Sequence, residues 1–223
     1  MTNGSAGEPR WLDIAPERLA GWAGEFAVRH GGLAGLDADP EVVTFTAADG
    51  AVAQCHVPFP PFDPAEAQAG SIARSMAAHA AAPRTVGVLL VRLGGYAAGV
   101  FEGPDARLVA SKVGSRLVHG RSAAGGTSQR RFARRREKQA SEALGAAADT
   151  AAAVLGPYAG RLDALVLGGD RRAIAGLRDD PRLRPLLALA ADRFLTVPDP
   201  RLAVLRGTPR MFRAIRVRLA EPR

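Results

Sequence analysis

The sequence has little cysteine, few aromatic residues and no long apolar run. Cys55 is the only cysteine, so no intramolecular disulfide can form. Cys55 and the four histidines show no spacing typical of a zinc site, and we expect neither a metal nor a cofactor. The most apolar stretch, residues 86–101, is interrupted by Arg92, and the N-terminus has no signal-like apolar region. We therefore expect a soluble cytoplasmic protein with no membrane partner.

The basic residues are concentrated in one stretch. Residues 112–138 read KVGSRLVHGRSAAGGTSQRRFARRREK, with nine basic residues and one acid, a net charge of +8 that equals the formal net charge of all 223 residues. The nine are Lys112, Arg116, Arg121, Arg130, Arg131, Arg134, Arg135, Arg136 and Lys138. Charge concentrated in this way produces a local positive potential that attracts phosphate backbones. We interpret the stretch as a surface that faces nucleic acid.

The first 82 residues predict a tail followed by mixed secondary structure. Residues 1–10 are small and polar and are typical of a disordered tail. A core-facing helix is predicted from Pro16 to the Gly31-Gly32 pair, because apolar residues recur there at helical spacing. An Asp-Gly turn predicts a hairpin of strands 42–46 and 51–57. An alanine-rich helix is predicted over residues 65–82, and we treat residues 11–82 as a subdomain or as part of the domain that follows.

Residues 83–223 predict alternating strands and helices. Three consecutive strands form a meander, and residues 128–155 contain no proline and are rich in helix formers. A break is predicted in the last helix near Gly207 to Pro209. The predicted strands are 85–92, 96–102, 107–118, 162–167, 193–197 and 215–219, and the predicted helices are 128–155, a short one ending at 177, 183–191 and 200–214. The class is α/β, with a mixed β-sheet flanked by helices.

A Gly-Gly loop precedes the long basic helix. Gly125 and Gly126 let the backbone enter a narrow space without Cβ clashes. Thr127 or Ser128 can cap the helix, and Gln129 is then a polar side chain near its start. Without further information, a flexible loop followed by a solvated arginine face explains these residues equally well.

The segment GGTSQRRFARRREKQ resembles the loop and helix of the middle domain of eukaryotic and archaeal class I peptide release factors. HGR, GG, SQ and RFARRRE in this order resemble more closely the actinobacterial branch of the Vms-type release-factor family of peptidyl-tRNA hydrolases. The resemblance implies a release-factor middle-domain-like fold from about Thr85 onward. It implies hydrolysis of peptidyl-tRNA on stalled large ribosomal subunits, with ribosomal RNA and peptidyl-tRNA as partners and, we expect, a monomeric protein.

The resemblance also implies roles for individual residues. Gln129 is the expected catalytic residue on the Gly125-Gly126 loop, with Thr127 and Ser128 as second choices. If RFAR is aligned with class I factors, Thr127 occupies the position of their catalytic glutamine, and Gln129 lies two residues later. Expected RNA contacts are Arg121, Arg130, Arg131, Arg134, Arg135 and Lys138.

Two rival functions remain open. A release-factor-like protein could occupy the same ribosomal centre without cleaving anything, as a hibernation factor does. A generic RNA-binding protein is the other alternative, but the chain has no RRM-type aromatic signature and only 5% aromatic residues, which disfavours a protein that binds RNA by base stacking. The Gly-Gly loop with a nearby glutamine favours the hydrolase.

Overall fold

The computed structural model describes residues 8–64, 72–92, 94–115 and 128–222, and within 128–137 it describes the helical backbone. The chain forms two compact units. The first comprises Met1–Ala82 and Arg210–Arg223, and the second comprises Pro83–Pro209. The sequence predicts one domain over residues 83–223, whereas the structure places the last strand in the first unit.

The first unit contains a five-stranded antiparallel sheet and two helices. Its sheet has the order β1-β10-β4-β3-β2, so the last strand of the chain lies between the first and fourth strands. The elements are β1 (Arg10–Ile14), α1 (Leu19–Arg29), β2 (Leu33–Ala38), β3 (Val42–Ala47), β4 (Val52–His56), α2 (Ile72–Ala81) and β10 (Ile215–Ala220).

The predicted first helix and hairpin are confirmed. Pro16 begins a 3-10 turn that leads into α1, and Leu19, Ala23 and Phe26 are buried at helical spacing. The β3–β4 turn contains Gly50 at φ +90, a conformation that favours glycine. The Asp49 carboxylate accepts a hydrogen bond from the Ala51 backbone N–H at 2.9 Å, so local chemistry fixes this turn.

The first sheet has one apolar face. Burial alternates along β3, β4 and β10, as expected for a sheet covered on one side. The inward residues pack with α1 and α2 into one core and include Val43, Phe45, Ala53, Cys55, Met76, Ile215, Val217 and Leu219. The opposite face of the same strands is half-exposed or exposed and mostly polar, with Val42, Val52 and Ala220 as its apolar residues.

The second unit contains a mixed five-stranded sheet, which confirms the predicted α/β class. Its order is β7-β6-β5-β8-β9; β8 is parallel to β5 and β9, and the other pairs are antiparallel. The elements are β5 (Val86–Arg92), β6 (Gly95–Glu102), β7 (Arg107–Ser115), α3 (Ser128–Leu155), β8 (Ala164–Gly169), α4 (Arg171–Ala175), α5 (Arg184–Leu187), β9 (Ala190–Leu195) and α6 (Leu202–Phe212), of which residues 210–212 are assigned to the first unit.

Both faces of the second sheet are covered. On one face, α3, α4 and α5 share a core with β5, β6 and β8. On the other, a Cβ at Gly99 of β6 would lie 2.9 Å from Leu205 Cδ2 of α6, so the absence of a side chain allows the helix to approach. Covered faces explain why β5 is almost continuously apolar, as predicted.

Several boundaries differ from the predictions. β1 lies in and beyond the region assigned to a tail, and β2 was not predicted because its residues are exposed and show no apolar alternation. The helix predicted over 183–191 ends at Leu187. The helix predicted over 65–82 is observed as α2 from Ile72 to Ala81, and residues 65–71 lie outside the described part of the chain.

The predicted break near Gly207 to Pro209 is wrong. α6 continues through Pro209, which cannot donate a backbone hydrogen bond to the carbonyl one turn earlier. The Thr208 hydroxyl donates instead to the Leu205 carbonyl oxygen at 2.8 Å. A side-chain donor therefore replaces the missing backbone donor.

Candidate functional site

The Gly-Gly loop connects two elements of the second unit. β7 ends at Ser115 and α3 begins at Ser128. The predicted loop residues Arg121, Gly125, Gly126 and Thr127 lie outside the described residues. Ser128, Gln129, Arg130, Arg131, Arg134 and Arg135 lie in the first eight positions of α3, where the helical backbone is described, and Lys138 is exposed. The predicted start of the helix is therefore confirmed, while the roles of these residues stay predictions.

The C-terminal half of α3 anchors the helix on the sheet. Ala147, Ala151 and Leu155 are completely buried and recur every four residues. They share a core with Leu89 of β5 and Val100 of β6. Because alanine is small, the helix can approach the sheet closely along this stripe. The anchored end fixes the direction of the whole helix.

The N-terminal end of α3 is far from this anchor. Among residues 138–155, Ala147 is the first buried position, and Ser128 precedes it by 19 residues. At about 1.5 Å per residue, Ser128 lies roughly 28 Å along the helix axis from Ala147. A continuous helix of 28 residues therefore carries its first turn well away from the buried stripe.

The basic positions of α3 share a sector with exposed residues. Successive positions advance by about 100°, so positions 130, 131, 134, 135 and 138 occupy one sector about 140° wide. Lys138, Glu142, Gly145 and Asp149 lie in that sector and are exposed. The buried stripe is centred about 130° around the helix from it. The basic sector thus continues a face that is exposed over most of its width, although Ala148 and Ala152 on one side of this sector pack against the core.

The strand before the loop is also exposed near its end. Within β7, Ser111, Lys112, Val113 and Ser115 are exposed, whereas Val109 earlier in the strand packs against the core. Lys112 adds a positive charge on this strand. The strand that leads into the loop is therefore accessible near its end.

A cavity of about 340 Å³ lies beside the middle of α3. It opens at the carboxyl ends of the parallel strands β5 and β8, the edge at which α/β sheets commonly bind ligands. Its lining residues include Arg92, Tyr96, Ala140, Leu144, Asp170 and Arg172. No local sequence pattern predicts this cavity, because its residues come from three separate segments of the chain.

Two polar side chains at this cavity, Asp170 and Arg92, have structural partners. The Asp170 carboxylate caps α4 by accepting from the backbone N–H groups of Arg172 at 2.7 Å and Ala173 at 3.2 Å. Arg92 donates to the Val197 carbonyl oxygen at 2.8 Å. A Cβ at Gly169, which has φ +100, would collide with the Val91 carbonyl oxygen. The Gly-Gly-Asp sequence at residues 168–170 is therefore explained by close packing at the glycines and by helix capping at Asp170.

The only thiol of the chain, Cys55, is buried. Burial raises the pKa of the Cys55 thiol to about 12, so the thiol is not ionised at neutral pH. Among the residues that the structure describes, no group of histidine, cysteine and acidic side chains is arranged to hold a metal ion. Within the same residues, no helix is long and apolar enough to cross a membrane.

Comparison with known proteins gives one family and several distant structures. Residues 84–218 match the family model described as Actinobacteria/chloroflexi VLRF1 release factor. No curated protein matches the sequence.

Three solved structures are similar at low identity. The archaeal translation termination factor aRF1 has 13% identity and a TM-score of 0.44, covering 94% of this chain and 68% of that chain. The Vms1 mitochondrial localization core has 12% identity and a TM-score of 0.37, covering 78% and 75%. A structure described as an archaeal protein has 15% identity and a TM-score of 0.34, covering 91% and 64%.

Proposed function

Because the chain belongs to the actinobacterial and chloroflexi VLRF1 release-factor family, we propose that it hydrolyses peptidyl-tRNA on stalled large ribosomal subunits. The observation that supports this most is the placement of α3. The helix begins at Ser128, directly after the Gly-Gly loop, and is anchored by residues about five turns later. A rigid helix of this kind can carry a loop into a narrow, RNA-lined space.

The reaction is the hydrolysis of one ester. The oxygen of a water molecule bonds to the ester carbonyl carbon, the bond from that carbon to the tRNA ribose oxygen breaks, and the ribose oxygen gains a proton. The products are a free peptide carboxyl group and deacylated tRNA. Water is the only co-reactant that this step requires.

Gln129 is the residue we propose at the reacting ester. Its neutral amide is too weak to act as a strong base, but its oxygen can accept a hydrogen bond from water and its nitrogen can donate to developing oxyanion charge. In the first turn of α3 it lies near the unpaired backbone N–H groups of the helix start. These groups add positive potential, and catalysis is mainly positioning.

The basic sector of α3 is proposed to hold ribosomal RNA. Arg130, Arg131, Arg134, Arg135 and Lys138 follow the catalytic loop along one side of the helix, and Arg121 precedes it. Arginine and lysine bind phosphates without reading sequence, which suits the anchoring of a factor on ribosomal RNA. Binding would therefore depend strongly on salt.

A release assay tests this function. Isolated large subunits that carry peptidyl-tRNA are incubated with wild-type protein or with Gly126→Val, and the released peptide is measured. We expect wild-type protein to release peptide and Gly126→Val to be inactive with nearly unchanged thermal unfolding, because the added bulk prevents entry of the loop.

The matched control is Gly24→Val in α1, where no described atom lies within 4 Å of a Cβ at that position. This variant should release peptide like the wild type. Binding of wild-type protein without release would identify a non-catalytic factor. Full activity of Gly126→Val would show that this loop does not enter the catalytic centre.

A further inference from the structure

The sheet of the first unit has an outer face that neither of its helices α1 and α2 covers. Val217 and Leu219 of β10 are buried in the core. Arg216 precedes Val217 and Arg218 lies between the two buried residues, so both arginines project to the opposite side of the sheet. The strand register places Trp11 beside Arg218, and it places His56 and Gln54 beside Arg216 and Arg218 on the other side of β10. One indole, one imidazole and two guanidinium groups thus share this outer face.

Trp11 is held in a defined orientation while remaining accessible. Trp11 is 46% exposed, although contact of its large apolar surface with water is unfavourable in free energy. The Arg216 guanidinium lies 4.3 Å from the centre of the indole ring, and the His56 ring lies 5.2 Å away at an angle of 44°. These contacts fix the ring, so it can receive a planar ligand without first being ordered.

Arg218 is positioned next to the indole. Its Nη1 donates to the Gln54 side-chain oxygen at 3.2 Å, while the residue remains exposed. The guanidinium group has five N–H donors, so this hydrogen bond leaves others for a ligand. Asp13 lies opposite Arg216 in the register and offsets part of that charge. Arg218 is therefore the better phosphate ligand of the two.

His56 adds a neutral polar group. Burial, together with the nearby Arg216 and Arg218, lowers the pKa of His56, so the imidazole carries one donor and one acceptor at neutral pH. Its Nε2 is buried and has no hydrogen-bond partner among the residues that the structure describes. The neutral imidazole therefore packs against the indole without adding a further charge to the outer face.

We propose that this outer face binds single-stranded RNA, with an unpaired base stacked on Trp11 and neighbouring phosphates held by Arg218 and Arg216. Aromatic stacking combined with arginine contacts on an open sheet is the chemistry by which proteins bind single strands. An acidic peptide would use the arginines but not the ring. The choice of RNA over DNA rests on the proposed function, whereas the surface itself is independent of it.

A single-tryptophan protein reports on this site directly. Trp22 is the other tryptophan, so Trp22→Phe leaves Trp11 as the sole indole. The four α3 arginines at 130, 131, 134 and 135 are also replaced by alanine, which removes the competing basic surface. A titration with a twelve-nucleotide uridine RNA should then quench Trp11 fluorescence to saturation, and duplex RNA of equal length should quench it much less.

Affinity measurements provide the second arm. With fluorescein-labelled RNA and the α3 arginines replaced, anisotropy should show about tenfold weaker binding for Trp11→Ala, since one stacked base contributes on this scale. Arg218→Ala should also weaken binding, and Arg29→Ala, an exposed arginine on α1, should not. This arm needs no Trp22 substitution, so it remains valid if that variant folds poorly.

Three results would overturn the proposal. They are RNA binding without any change in Trp11 fluorescence, equal affinity of Trp11→Ala and its parent, and quenching by a polyglutamate peptide but not by RNA. None of these outcomes affects the hydrolase proposal, because peptide release is measured on separate variants. Loss of release in Gln129→Ala likewise leaves this surface untouched.

Discussion

Leu144 of α3 packs against Gly176 at the end of α4, so closely that a Cβ at position 176 would lie 2.9 Å from Leu144 Cδ1. This contact marks the point at which α3 leaves the core. From Ala147 onward the stripe facing the sheet is buried, and before Leu144 the described positions are exposed or half-buried. The position of the loop that precedes Ser128 therefore depends on the stiffness of α3 on the N-terminal side of this contact.

Gly145 is a weak position in this helix and provides a test of its stiffness. It is exposed, and no described atom lies within 4 Å of a Cβ built there. Gly145→Ala should therefore increase the free energy of unfolding by about 0.5–1 kcal/mol. Urea unfolding measures this change.

Gly176→Ala is the matched comparison for that experiment. It makes the same chemical change, but the added methyl group meets Leu144, so no gain in stability is expected. Equal stabilisation by both substitutions would show that the contact between α4 and α3 is looser than described. Peptide release by Gly145→Ala should equal or exceed that of the wild type, since a stiffer helix positions the loop at least as well.

The thiol of Cys55 should report on unfolding of the first unit. Burial raises its pKa to about 12, whereas an unfolded cysteine ionises near pH 8.5. The native thiol should therefore resist labelling by a disulfide reagent at pH 8, and labelling should follow the fraction unfolded as urea increases. Rapid labelling in the absence of urea would show that the β3–β4 core opens readily.

Much of the secondary structure follows from local sequence, while the assembly of the sheets does not. The bounds of α3 are as predicted, because a long run of helix formers is free of proline and ends at Gly156-Pro157. The β3–β4 hairpin is likewise specified by its Asp-Gly turn. By contrast, the continuity of α6 depends on one hydrogen bond from the Thr208 side chain, which no periodicity indicates.

Long-range pairing explains the other differences. β10 inserts between β1 and β4, which joins residues about 200 positions apart, and no local pattern predicts that register. The same pairing brings Trp11 next to Arg216 and Arg218. The low aromatic content predicts that the protein does not bind RNA by base stacking, so the exposed Trp11 indole on this face is a feature that composition did not indicate. The candidate catalytic residues were predicted from a local motif and a family resemblance, which require no knowledge of the tertiary structure.

The basic sector of α3 should dominate the salt dependence of ribosome binding. Replacement of Arg130, Arg131, Arg134 and Arg135 by alanine should weaken binding to large subunits. It should also flatten the log–log salt slope by about 3, at roughly 0.7–0.9 for each lost phosphate contact. Binding isotherms at several salt concentrations measure this slope.

A second variant separates local from overall charge. Replacement of Arg29, Arg178, Arg184 and Arg206, which are exposed on other elements, removes the same net charge. This control should change the slope by less than one. If the two variants behave alike, net charge rather than the α3 sector controls binding.

The identity of the catalytic residue is the central claim, and peptide release by Gln129→Ala and Thr127→Ala tests it most directly. Both variants are assayed on large subunits carrying peptidyl-tRNA, with subunit binding measured in parallel. Gln129→Ala should lower the release rate about 10²- to 10³-fold while binding persists, as for loss of one oxyanion donor. Thr127→Ala should cost about 1 kcal/mol of stability through loss of a helix cap, with only a modest loss of activity. An inactive Thr127→Ala together with a fully active Gln129→Ala would contradict the account and place the chemistry at position 127.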